Sequence, residues 1–345
     1  MVTIKDVAAL AGVAKPTVSR VLNGSAPVRG ETRTRVLAAI DELGYRPSPI
    51  ARGLARGRLH TIAVIVPFAA RPSVVERIRG VLGRLRAYRI PVSIYDVEHR
   101  ADLDEHLATM LHLRPEGIVV ISLHPDPEPL EALAALGIPL VFIDAEAPGF
   151  SSIAINDESG GHMATRHLIE LGHRRIGFVG DIEENPFGFQ SSHRRRIGYR
   201  AALVDAGIPL DPNLERTGLH GQLIAAQLAD ELLQLEDPPT AIVAASDTQA
   251  LGVLDALRRR RIEVPTAFSV IGFDDIETAQ YADLTTIRQP LWQSGDEAAR
   301  LLVEQPPGRP PEPIVATLSL ELIERRSTAP APSANPDAFQ GGENP

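Results

Sequence analysis

From residue 61 to about residue 323 the chain alternates short apolar runs with stretches of helical spacing. That alternation leaves few folds open. TIAVIVP (61–67), PVSIYDV (91–97), GIVVISL (117–123) and PLVFIDA (139–145) read as buried strands. Helical stretches lie between them, near 74–89, 102–113 and 128–136. A second series follows: RIGFVG (175–180), TAIVAAS (240–246) and FSVIGFDD (268–275), with helices near 157–171, 192–206 and 247–260. Continuous apolar strands separated by helices require parallel sheets covered on both faces, an α/β architecture. Two such sets predict two halves of one module. Ligands of these sheets sit beyond the carboxyl ends of the strands, and a cleft between two halves is a natural closure switch.

The first 60 residues follow another rule. Thr3 can cap a short helix with Ile4, Val7, Ala8, Leu10 and Ala11 at helical spacing, and Gly12 breaks it. A second helix starts near Lys15, where Pro16 is tolerated in the first turn, and runs to Asn23–Gly24. A third, about 30–43, puts Val36, Leu37, Ile40 and Leu43 on one face, and Gly44 ends it. Two short helices joined by a tight turn containing Gly, with a third in support, describe a helix-turn-helix. In such a unit the second helix enters the major groove. Here its polar face holds Lys15, Pro16, Thr17, Ser19 and Arg20. Arginine and lysine suit guanine edges, and short hydroxyls suit phosphate oxygens. A three-helix unit that only docks on the body would need a second apolar stripe on this helix, which shows polar groups instead.

Charge supports a polyanion partner for the head alone. The whole chain carries −9, which by itself argues against nucleic acid. Residues 1–60 hold ten basic and four acidic side chains, a net +6, whereas residues 61–345 hold 25 basic and 40 acidic ones, a net −15. A basic head on an acidic body is the asymmetry expected when one domain meets DNA.

TIKDVAALAGVAKPTVSRVLNG (3–24) and ETRTRVLAAIDELGYRPSPIARGLARGR (31–58) closely resemble the DNA-binding head of LacI/GalR-type bacterial transcriptional regulators, and the resemblance runs on to about residue 326. It implies that Lys15, Pro16 and Arg20 read bases, while Thr17, Ser19 and Asn23 hold the backbone; Thr3 and Arg52 are counted with the DNA-binding residues. Tyr45–Arg46–Pro47 halts the third helix. Residues 48–56 then read as a short hinge helix capped by Ser48, where the family often has Asn. Gly53 weakens it by about 1 kcal/mol, and some nine residues are too few for a helix stable alone in water. The hinge is therefore expected to fold on DNA. Leu54 stands where the family wedges a leucine into the minor groove, unstacking a base step.

The same resemblance implies an effector pocket in a periplasmic-binding-protein-like body. Its matching positions are Asp144, Arg195, Ser246 and Asp274, with Phe68 and Trp292 as further candidates; Trp292 fits ordinary packing at least as well. Carboxylates and a guanidinium suit bidentate hydrogen bonds to vicinal hydroxyls. A carbohydrate fits them first, with a nucleobase or another small metabolite behind it. Many relatives have aromatics just after the first strand, where Phe68 is followed here by Ala69, Ala70 and Arg71; many have Arg where Ala145 stands. Asp247 and Asp275 read as helix caps, and Arg194 and Arg196 as surface charges.

The expected organisation is a helix-turn-helix domain at 1–47, a hinge at 48–60 and an effector-binding and dimerisation domain at 61–326. The last divides into 61–155 plus 290–316 and 156–286 plus 317–326. A single last strand falls at about 314–323. Residues 327–345 have few large apolar groups and are expected to be disordered. With no heptad leucines there, a homodimer is expected rather than a coiled-coil tetramer.

The chain has no cysteine, which removes disulfides, thiolate metal sites and thiol nucleophiles. G-x-S-x-G, H-E-x-x-H, the phosphate-loop motif and the dinucleotide glycine fingerprint are absent, so no enzyme and no cofactor is expected. No apolar stretch is long enough for a membrane helix. MVTIKDVAAL lacks the marks of a signal peptide, which favours the cytoplasm. The expected function is a repressor that binds a palindromic double-stranded DNA operator as a dimer, under allosteric control by a small molecule. A transporter's solute-binding protein shares the two-lobed body, but the basic head would be surplus. A metal-dependent hydrolase built on Asp274–Asp275 lacks an identifiable nucleophile and base.

Overall fold

The structure is a computed structural model that describes residues 2–23, 28–45, 59–184, 187–304 and 312–332. The hinge expectations, including Ser48, Arg52 and Leu54, lie outside the described residues. The chain divides into two units, Met1–His60 and Thr61–Pro345.

In the first unit, helices α1 (Ile4–Leu10), α2 (Lys15–Asn23) and α3 (Gly30–Leu43) enclose a small core of Val7, Ala8, Ala11, Val18, Val21, Val36 and Ala39. Thr3 opens α1 by donating from its backbone N–H and its hydroxyl to Asp6 Oδ2, each at 2.8 Å. Those bonds hold the Asp6 carboxyl below its ordinary value. Gly12, at φ 61°, supplies the left-handed residue that turns α1 into α2. Gly44, at φ 59°, ends α3, and its N–H returns to Asp41 and Ile40 carbonyls.

The second unit holds two six-stranded sheets. Strands β1 (Leu59–Pro67), β2 (Val92–Val97), β3 (Pro115–Ile121), β4 (Leu140–Ile143), β5 (Ser151–Ile155) and β11 (Val315–Leu318) form one, in the order β11-β5-β4-β3-β1-β2. Strands β6 (Ile176–Asp181), β7 (Glu215–Gly218), β8 (Ala241–Ala244), β9 (Ser269–Asp274), β10 (Thr285–Arg288) and β12 (Glu321–Ile323) form the other, in the order β12-β10-β9-β8-β6-β7. Pairing is parallel at β1–β2, β3–β4, β6–β8 and β9–β10, and antiparallel only at the β10–β12 edge among the described pairs. The expected single last strand is two short strands, one in each sheet. Ser319 and Leu320 between them carry the chain from lobe to lobe. The chain also crosses at Asn156 and at Gln289–Pro290.

Helices α4 (Pro72–Tyr88), α5 (Arg100–Leu113), α6 (Pro127–Ala135) and α12 (Leu291–Val303) cover the first sheet. Helices α7 (Asp157–Glu170), α8 (Ser191–Asp205), α9 (Gln222–Leu233) and α10 (Asp247–Arg259) cover the second, with the short α11 (Glu277–Tyr281). Two of the helix pairs that meet backbone to backbone through glycine bear on buried arginines. A Cβ on Gly295 of α12 would lie 1.9 Å from the Arg77 carbonyl of α4, and one on Gly161 of α7 would lie 2.0 Å from the Arg195 carbonyl of α8. Each crossing therefore fixes the helix that carries one buried arginine.

The expected disorder from residue 327 needs correction over its first six residues. Ser327 is buried; its hydroxyl donates to the Val270 carbonyl at 2.6 Å and accepts from the Thr285 N–H at 2.8 Å. The Ala331 N–H reaches the Leu171 carbonyl at 2.8 Å. Small and hydroxylated side chains dock here by hydrogen bonds, a mode that an apolar count does not register.

Candidate functional sites

The exposure of α2 separates its two faces. Val18 and Val21 of α2 are buried, which turns Lys15, Pro16 and Arg20 to solvent and leaves Thr17 and Ser19 half-buried. Asn23 is the last residue of α2. The Thr3 hydroxyl, held by Asp6, acts on the helix rather than standing free.

In the body, the carboxyl ends of both sheets face a cleft of about 620 Å³, lined among others by Arg71, Arg77, Asp144, Arg195, Ser246 and Asp274. A second hollow of about 540 Å³ continues it and shares Ser122, Asp144, Phe189 and Ser191 with it. Of six residues expected to meet an effector, the cleft brings four together: Asp144, Arg195, Ser246 and Asp274. Phe68 does not line it; its ring lies beneath Arg71, which does. Trp292 falls elsewhere. It sits in the first turn of α12 with its indole against Gly83 of α4 and its backbone carbonyl against Gly80, 49% exposed.

Arg195 is 6% exposed and held from several sides. Its Nε donates to Asp157 Oδ1 at 2.7 Å and its Nη1 to the Ala245 carbonyl at 2.6 Å, and Asp274 lies 3.6 Å away. Its guanidinium also covers the Phe273 ring at 3.6 Å. Burial opposes the Arg195 charge, but Asp157 and Asp274 outweigh it and raise its pKa. Burial likewise lifts the carboxyls of Asp157 and Asp274 above the ordinary range, against the pull of Arg195.

Arg77, which sequence reading missed, is the matching arginine of the other lobe. It pairs with Asp144 and donates from Nη2 to Gln289 Oε1 at 3.0 Å. Gln289, in a crossover, passes its own amide N–H to Asp274 Oδ1. One chain of polar groups thus runs from α4 through a crossover to β9, joining both lobes. The signal was present: Arg77 sits on the apolar stripe of α4 with Val74, Ile78 and Val81 and is 4% exposed.

The carboxylates read as caps act differently. Ser246 caps α10 by accepting from the Gln249 N–H at 3.2 Å. Asp247 instead accepts from the Ile276 N–H at 2.9 Å and the Thr286 hydroxyl at 2.6 Å, tying α10 to β10 and the segment before α11. Burial and the neighbouring Asp274 raise its carboxyl well above its ordinary value. Asp275 bonds Arg288 at 2.7 Å and Arg325 at 2.6 Å. Arg194, exposed, lines the second hollow, whereas Arg196 pairs with Glu183.

Residues 3–48 match the family model of bacterial regulatory proteins of the lacI family, and residues 165–328 match a periplasmic binding protein-like domain. The chain is 34% identical over 336 residues to the HTH-type transcriptional repressor CytR of Escherichia coli, covering 96% of this chain and 97% of that one. It is 33% identical over 309 residues to catabolite control protein A of Priestia megaterium, covering 88% and 92%. Among solved structures, the lac repressor dimer bound to operator and the anti-inducer ONPF matches with a TM-score of 0.78 at 27% identity, covering 95% of this chain and 99% of that one. A transcriptional regulator CelR–cellobiose complex matches with a TM-score of 0.70 at 31% identity, covering 95% and 100%. Near-complete coverage at this identity, with a helix-turn-helix head and a two-lobed body in one chain, makes this protein a member of the lacI family of bacterial regulatory proteins.

Proposed function

We propose that this protein is a sequence-specific transcriptional repressor that binds a palindromic operator as a homodimer and is controlled by a carbohydrate in the cleft of its body. The carrying observation is the union in one chain of an exposed, basic α2 face with a cleft lined by charged groups from both lobes. Two-fold protein symmetry matches two-fold operator symmetry. Lys15, Pro16 and Arg20 read bases, while Thr17, Ser19 and Asn23 hold the backbone. Leu54 of the hinge segment wedges into the minor groove, and Arg52 contacts DNA beside it. Asp144, Arg195, Ser246 and Asp274 take the effector. Control requires only that the effector bind one arrangement of the lobes better than the other.

No helix among the described residues is long and apolar enough to cross a membrane, and action on DNA places the protein in the cytoplasm. It works by binding rather than by catalysis. A solute-binding protein of a transporter has no use for the head. Selection of bound sequences from random duplex DNA by gel shift should enrich a palindrome; no enrichment would sink the repressor reading. Leu54→Ala should then weaken operator binding and reduce DNA bending. If both stay unchanged, the wedge role falls.

A further inference from the structure

Three arginines line the cleft, and two of them are neutralised within the protein. Arg77 pairs with Asp144, and Arg195 is flanked by Asp157 and Asp274. Arg71 is different. It lines the cleft beside Ser73 and Val74 of α4, and among the described residues no carboxylate comes within ion-pairing distance of it. Asp181, the carboxylate facing it from the other lobe, already accepts from Gln249 Nε2 at 2.9 Å and lies 3.1 Å from His220 Nδ1.

Nor is Arg71 a loose surface side chain. Its guanidinium carbon lies 4.1 Å from the centroid of the Phe68 ring and 5.8 Å from that of Phe189. Phe68 packs edge-on against Phe187 at 5.3 Å, and Phe187 stacks on Phe189 at 5.2 Å. A planar cation laid on aromatic faces keeps its charge but gains no hydrogen-bond acceptor, so its N–H groups keep their capacity to donate to a ligand. Burial works against the charge, and Asp181 restores it only in part. The first turn of α4 beside it adds the positive end of a helix dipole. An acceptor with negative charge satisfies all of these at once.

We propose that the effector is an anionic carbohydrate, a sugar bearing a carboxylate or a phosphate, with its anionic group held by Arg71 and its ring hydroxyls by the neutralised groups around Arg195 and Asp274. This rests on the carbohydrate reading above and adds the ligand's charge. Phe189 lines both the cleft and its extension.

The experiment measures binding of matched pairs to the full-length protein at fixed ionic strength, by calorimetry. The pairs are glucuronate against glucose, galacturonate against galactose, and each neutral sugar against its 6-phosphate. One charge-assisted bond predicts roughly a tenfold to hundredfold preference for an acidic member. Carboxylate and phosphate arms separate the two sources of the charge. Arg71→Gln should erase the preference, and Arg71→Lys should keep part of it. The proposal is overturned if a neutral sugar binds as tightly as its acidic partners, if the preference survives Arg71→Gln, or if no acidic sugar binds. Operator binding by the same preparation keeps failure of the charge proposal distinct from failure of the repressor reading. A folded Arg71→Lys protein without acidic preference would also overturn it, even if Arg71→Gln fails to fold.

Discussion

The head and the body solve recognition in opposite ways. The proposed major-groove groups of the head fall on one nine-residue helix, Lys15–Asn23, held by a core of small side chains. The body assembles its cleft from segments far apart in the chain: Arg77 meets Asp144 67 residues away and Gln289 212 residues away. A contiguous site can be read from a string of residues. A dispersed one depends on every packing contact that brings its parts together. Arg77, Arg195 and Asp274 are also taken out of water, whereas Lys15, Pro16 and Arg20 of α2 stay exposed.

The largest effect should therefore come from removing a buried cleft charge. Arg195→Ala strands Asp157 and Asp274 without their cation, and breaking a buried ion pair costs about 3–5 kcal/mol. Both carboxyls are already raised by burial, and losing Arg195 raises them further. The folded mutant then binds more protons than the unfolded chain, so its stability falls as pH rises. Chemical denaturation at pH 5 and pH 8 should show the larger loss at pH 8. Hydrogen exchange at the Val18 and Val36 amides, in the head, should not change. A loss shared equally by head and body would break the comparison.

The head should respond the other way. Arg20→Ala should leave the melting temperature unmoved, since the side chain is exposed. It should weaken operator binding by about 1–3 kcal/mol and relax preference at one base position. Binding to a panel of single-base operator variants checks it; a uniform loss across all variants would make Arg20 a phosphate contact instead. Wild-type affinity should also fall steeply with salt, through counterion release at the basic head.

How far each region was legible follows from the same contrast. The bounds of α2 and α3 came from local rules: Pro in a first turn, apolar spacing, and Gly at a C-terminus. In the body, strand–helix alternation disclosed the parallel sheets and the polar strand ends Asp144, Ser246 and Asp274. It did not disclose Gln289, which matters only because a crossover seats it between Arg77 and Asp274. Trp292 stayed open between a ligand and ordinary packing because an aromatic in a first turn suits either, and its indole lies against Gly83 of α4. Short strands such as β5 and β7 escaped because four or five residues carry too little periodicity.

The smallest expected effect concerns the docked segment after Arg326. His167 lies 3.0 Å from the Thr328 hydroxyl. His173 Nδ1 lies 2.8 Å from the Thr240 hydroxyl, and its Nε2 lies 3.1 Å from both the Ser269 hydroxyl and the Ala329 carbonyl. Burial lowers both imidazoles below the ordinary 6.5, which favours their neutral forms at pH 7. Below pH 6.5 the unfolded chain takes up protons that the folded one refuses. Stability from these groups is therefore present at neutral pH and lost as pH falls through that window. The segment should loosen before the sheets do. Hydrogen exchange at the Ala329 and Ala331 amides, corrected for intrinsic rate, should lose protection between pH 7 and pH 5 while the Val243 amide in β8 keeps its own. His173→Gln should flatten that pH response. If protection at Ala331 stays level across the range, the two histidines do not govern the docking of this segment.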